Sequence, residues 1–192
     1  MEYFAIIIGA IFVNNIVLAQ FLGICPYIGV SSKVSTSIGM SGAVMFVMTL
    51  ATIVTYLIYN YVLVPFDITY LQTISYILVI ASLVQMVEIV LKKVSPPLYQ
   101  ALGIFLPLIV TNCAILGVTI LAVRPDFDYT LLQAVVFAIA NAIGFALAIV
   151  LFAGIREHLE LMDVPKGMRG APAAFIVAGI MALAFMGFTG IV

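Results

Sequence analysis

Apolar residues run almost unbroken through six stretches of this chain, roughly 3–28, 38–64, 70–91, 101–123, 129–155 and 171–191. At about 1.5 Å per helical residue, each is long enough to cross about 30 Å of hydrocarbon. The longest call for tilt or a break. Polar, turn-forming segments separate them: "SSKVST", "PFDIT", "KKVSPP", "RPDFD" and "REHLELMDVPKGMRGAP". Only the last has room for a short surface helix. No linker divides the chain, so the pattern predicts one all-α integral membrane domain over residues 1–192, with six transmembrane helices.

Composition agrees. The chain is 66% hydrophobic and only 8% charged, too few charges to solvate the surface of a soluble domain. Net charge is −1, so nothing draws nucleic acid and the surrounding partner is the lipid bilayer. Glu2 stands where a cleaved signal peptide would carry a basic segment, so the first run is read as a retained span. Lys33, Lys92, Lys93, Arg156, Lys166 and Arg169 fall in the loops after spans 1, 3 and 5, whereas the opposite side holds only Arg124. Positive loops stay in the cytoplasm, which places both termini on the outer face.

Three spans per half give the two halves, about 1–97 and 98–192, opposite topology. An internal echo supports a duplication: "VNNIVLAQFLG" (13–23) in span 1 resembles "VTNCAILG" (110–117) in span 4. Inverted repeats with interrupted helices at their interface are a known membrane architecture. Helix breakers gather at the same two places. Asn14 and Asn15 lie near the middle of span 1, with Gly23 and Pro26 bracketing Cys25. Thr111, Asn112 and Cys113 lie near the middle of span 4, one turn after Pro107. A proline inside a helix removes a hydrogen bond and crowds the preceding turn. The expectation is two inverted three-helix repeats, the first helix of each interrupted.

Two readings fit these polar groups. Asn14, Asn15, Thr111 and Asn112 either satisfy the backbone of broken helices and glue neighbours together, or mark a functional centre at mid-membrane. Gln20 and Gln85 read as hydrogen-bonders between helices, and Asn141 with Gly144 in "ANAIGFALA" as close helix packing. The only cysteines are Cys25 and Cys113. A membrane cysteine is ordinarily a small hydrophobe. These two sit beside breakers, one in the first span of each half. Thiolates suit soft metals and iron–sulfur clusters, which take about four such ligands. This chain offers two, so a cluster here needs a second protein.

The segments "VNNIVLAQFLGICPYIGVSSKVSTSIGM", "YQALGIFLPLIVTNCAILGV" and "IREHLELMDVPKGMRGAPAAFIVAGIMALAFMGFTGI" resemble the A-subunit family of Rnf complexes, the ion-pumping ferredoxin–NAD oxidoreductases of bacterial membranes. The likeness covers essentially the whole chain. The wider family includes the E subunit of the sodium-pumping NADH–quinone reductase, but "VNN" and "TNC" favour Rnf. The resemblance implies a multi-pass protein of the bacterial inner membrane, paired with a homologous six-helix E subunit of opposite topology and with the other Rnf subunits. It implies that Cys25 and Cys113 supply half the ligands of a [2Fe–2S] cluster shared with that E subunit. The cluster would relay electrons across the bilayer, so the chain would be part of a redox-driven translocase and not catalytic alone. Two alternatives stand beside it. One is the sister NADH–quinone reductase. The other is a secondary transporter, which also uses inverted repeats and broken helices but has no need of both cysteines.

Overall fold

A computed structural model describes residues 2–94, 106–124, 129–162, 165 and 167–188. Lys166 and the boundary near residue 97 lie outside the described residues, as do the first residues of the expected fourth span. Among the described residues the chain is helical, without strands. In chain order the α-helices are α1 (Glu2–Ile8), α2 (Ile24–Gly29), α3 (Val34–Ile58), α4 (Gln72–Val94), α5 (Leu106–Val110), α6 (Cys113–Leu121), α7 (Leu131–Glu160) and α8 (Ala171–Met186). Wider π-turns extend α1 through Gly9–Val13 and α3 through Tyr59–Leu63.

Three helical stretches, Val34–Leu63, Thr69–Ile89 and Leu131–Glu160, are long and apolar enough to cross a membrane. Tyr3–Val13, Pro107–Leu121 and Ala171–Met186 are shorter apolar helices. This is the construction of a membrane protein, with exposed side chains such as Ile74, Ile77, Leu78 and Met86 on α4 suited to lipid or to an apolar partner.

The centre is the packing of α3 along α7. On α7, Ala134, Ala138, Ala142, Gly144 and Ala148 are buried among Phe145, Ile149 and Phe152. Small residues let helix backbones approach closely where lipid offers no hydrophobic drive. Buried hydroxyls on α3 turn back onto their own helix: Ser41 donates to the Ser37 carbonyl (2.7 Å), Thr52 to Met48 (2.8 Å) and Thr55 to Ala51 (2.6 Å). These hydroxyls then seek no partner across the bundle. Gln20 and Gln85, expected to bond between helices, are instead exposed. His158 is exposed near the end of α7.

Candidate functional site

Two interruptions define the site. The first covers residues 14–23, between the π-turn and α2. Gly9–Val13 closes when the Asn14 N–H donates to the Gly9 carbonyl (2.7 Å). Asn14 itself is exposed. Asn15 is fully buried and uses all of its carboxamide. Its Nδ2 donates to the Ile11 carbonyl (3.1 Å) and to the Gly144 carbonyl on α7 (2.9 Å), while Oδ1 accepts from the N–H groups of Val17 (3.1 Å) and Leu18 (3.3 Å). This side chain supplies the bonds that the interrupted helix cannot make. Ile16, Val17 and Leu18 are buried, so the stretch that Asn15 ties off is packed inside, while Ala19, Gln20 and Phe21 are exposed. Gly144 makes the approach possible: a Cβ there would lie 3.1 Å from the Ala10 carbonyl oxygen and 3.3 Å from the Ile11 Cα.

The second interruption is only Thr111 and Asn112, between α5 and α6. Thr111 is exposed, and its hydroxyl donates to the Pro107 carbonyl (2.8 Å). Asn112 is the N-cap of α6, its Oδ1 accepting from the Ala114 N–H (3.0 Å), the ordinary role of asparagine at that position. Its Nδ2 is buried without a partner among the described residues.

The prolines do not make these breaks. Pro26 lies third in α2, within the first turn, where a missing N–H goes unused. Pro107 is an exposed residue in the first turn of the described part of α5, and its carbonyl holds Thr111. The chain parts at the asparagines and at Gly23, because those residues can satisfy or adopt a non-helical backbone. Gly23 caps α2 with φ +79°, a left-handed conformation that suits glycine.

The two interruptions touch. A Cβ on Gly23 would lie 3.0 Å from the Ala114 Cβ, 3.1 Å from Asn112 Oδ1 and 3.2 Å from Phe145 Cε2. Leu22 fills the notch that Gly117 leaves on α6, 2.5 Å from where a Cβ would stand. The contact brings the residue two before Cys25 against the residues on either side of Cys113. Both cysteines are free and exposed. Cys113 opens α6 and Cys25 is second in α2, so each lies in the first turn of a helix. These two thiols are the soft ligands the site offers. Among the described residues no group of three or more His, Cys, Asp or Glu side chains gathers to hold a metal ion.

Arg156 was legible only as a loop charge. It is half-buried on α7, its Nη1 donating to the Ile28 carbonyl (2.7 Å) and to Ser31 Oγ (2.8 Å) at the far end of α2. Nothing in the residues around an arginine hints at a carbonyl 128 positions away.

A family model for Rnf-Nqr subunit membrane proteins matches residues 3–192. The chain is 56% identical over 191 residues to the A subunit of the ion-translocating oxidoreductase complex of Pseudoalteromonas translucida, covering 100% of this chain and 98% of that protein. It is 57% identical over 187 residues to the protein of the same description from Syntrophotalea carbinolica, covering 97% and 96%. It is 53% identical over 190 residues to the A subunit of the Na(+)-translocating ferredoxin:NAD(+) oxidoreductase complex of Acetobacterium woodii, covering 99% and 98%. With a match over nearly its whole length, the chain belongs to the Rnf-Nqr family of membrane subunits.

Proposed function

We propose that this chain is the A-type membrane component of an ion-translocating ferredoxin–NAD oxidoreductase, carrying electrons through the bilayer as part of the complex. The observation that supports this most is the contact of Gly23, two residues before Cys25, with Asn112 and Ala114, the neighbours of Cys113; both cysteines are exposed. The relatives' descriptions supply the complex and its reaction.

The thiols fit half of a [2Fe–2S] ligand set: two soft donors, both at the surface, with the other two left to a second chain. When bound there, the cluster supplies a one-electron carrier part-way across a bilayer too thick for efficient tunnelling in one step. The partner is the homologous six-helix E subunit of opposite topology, meeting this chain across a pseudo-two-fold axis. The chain itself is then two inverted three-helix repeats in the bacterial inner membrane, its termini outward, as the cation asymmetry suggests.

The chain's own residues do the holding. Asn15 and Asn112 tie off the broken backbone. Gly23 and Gly117 let the breaks dock. Buried Ile16, Ile115 and Phe145 keep water from the inner side of the site, and a dry apolar shell tunes a centre's potential.

Cys25→Ser and Cys113→Ser test this in bacterial membranes. Serine replaces a soft thiolate with a mostly protonated hydroxyl. Ferredoxin-driven NAD reduction should stop in both variants while the complex still assembles. Normal electron flow in either variant overturns the proposal. For topology, a cysteine placed at Lys166 should react with an impermeant thiol reagent only from the cytoplasmic side.

A further inference from the structure

We propose that Arg156 is a positioning residue for Cys25, fixing the short helix that carries it; this rests on the iron–sulfur reading above. Helix α2 has six residues, far too few to hold itself together. Pro26 removes one of its donors, and the helix is tied at its two ends by Tyr27 N–H to the Gly23 carbonyl (3.2 Å) and Val30 N–H to the Pro26 carbonyl (3.0 Å). The orientation of Cys25 therefore depends on what grips α2 from outside.

That grip comes from α7. Phe152 stacks on Tyr27 with ring centroids 4.3 Å apart and planes 13° from parallel. One turn later the Arg156 guanidinium stands 5.7 Å from the centroid of that Phe152 ring and donates to Ile28 and Ser31. The Ile28 carbonyl belongs to the last turn of α2, where helix carbonyls lack partners and the dipole favours a cation. The Tyr27 hydroxyl bonds Met181 Sδ on α8 (3.6 Å). The same α7 holds Asn15 through Gly144. Gly144 and Arg156 are about 18 Å apart along a continuous helix. One strut thus pins the chain on both sides of Cys25, before the break and after α2. Cys113 has no such dependence, since it opens the nine-residue α6 under its own asparagine cap.

Lysine keeps the charge of Arg156, but its side chain is one atom shorter and has no planar guanidinium to lie beside the Phe152 ring, so it falls short of the two acceptors that Arg156 Nη1 reaches. Arg156→Lys, Arg156→Gln and a neighbouring control, Glu157→Gln, are compared in the purified intact complex. Two readouts are taken. One is amide hydrogen exchange over residues 24–31, which needs no cluster. The other is the EPR line shape and midpoint potential of the centre. In Arg156→Lys and Arg156→Gln, exchange should accelerate on the order of tenfold or more, the scale of a lost charge-assisted hydrogen bond. The EPR line shape should change and the potential should shift even in the lysine variant, where charge is kept. Glu157→Gln should match wild type in both. A wild-type spectrum and potential in assembled Arg156→Lys, whether or not exchange rises, overturn the proposal. Where Arg156→Lys does not assemble, Ser31→Ala removes one of the two acceptors, and an unchanged spectrum there overturns it equally. Absence of any iron signal in the wild-type complex defeats the iron–sulfur reading instead, and the exchange measurement still reports whether Arg156 holds α2.

Discussion

The two helix interruptions use the same residue to different extents. Asn15 makes four hydrogen bonds, one of them to the backbone of another helix. Asn112 makes one cap bond and leaves its amide nitrogen buried and, among the described residues, unpartnered. The first interruption spans residues 14–23 and buries Asn15 to Leu18, with Asn14 and Ala19 to Phe21 exposed; the second is two residues long, with Thr111 exposed and Asn112 buried. A long break with a buried stretch needs an asparagine that works on both sides. A short break needs only an N-cap. The pair shows that a sequence echo can preserve a residue while its structural burden differs.

The largest effect should come from Asn15→Leu. It leaves the Val17 and Leu18 N–H groups without their acceptor and takes a second bond from the Ile11 and Gly144 carbonyls, where each buried group left unpaired costs about 1–3 kcal/mol. The purified complex should lose about 3 kcal/mol or more of stability, or fail to assemble, as read by thermal unfolding followed by size-exclusion. Wild-type melting would erase the contrast between the two breaks.

Gly23→Ala comes next. It forces a side chain into a left-handed backbone and against three atoms at 3.0, 3.1 and 3.2 Å, for about 2–3 kcal/mol. Because it pries apart the contact between the breaks, it should also lower the yield of a Cys25–Cys113 crosslink by a short bis-maleimide. An undiminished crosslink would mean that the two cysteines are not brought together through Gly23.

Asn112→Leu removes one cap bond and should cost about 1–2 kcal/mol. Asn112→Ser is the sharper case. Serine also caps helices and does not carry the orphaned amide, so stability should stay within about 0.5 kcal/mol of wild type. Asn15→Ser, by contrast, cannot reach Gly144 and should melt well below wild type. Equal melting temperatures for the two serine variants would remove the distinction.

Much of this was legible in the chain, and the exceptions have physical causes. The apolar runs announce helices in lipid because backbone groups there must be satisfied internally. "VNN" and "TNC" mark both breaks, but asparagine alone is not the signal: Asn141, also in an apolar run, lies inside the continuous α7 and donates back to the Phe137 carbonyl. Gly144 was readable as close packing. Pro26 misled because proline is benign in a first turn, and a helix that restarts creates a first turn inside an apolar run; Pro107 lies in α5 ahead of the break and only supplies the carbonyl that Thr111 bonds. Gln20 and Gln85 are exposed, and an apolar run alone does not say which of its faces meets the bundle. Arg156 was counted for topology alone, because its bonds to Ile28 and Ser31 cross 128 and 125 residues of sequence. Which loop a helix end meets is decided by packing and leaves no local pattern.

The most direct measurement is iron content and the EPR spectrum, compared between the purified complex and this chain expressed alone. The complex should hold a [2Fe–2S] signal that disappears in Cys25→Ser and in Cys113→Ser, and the isolated chain should hold no stable cluster, because half the ligands are missing. A full cluster signal in the isolated chain, or one that survives loss of either cysteine in the complex, would contradict a centre shared between two subunits.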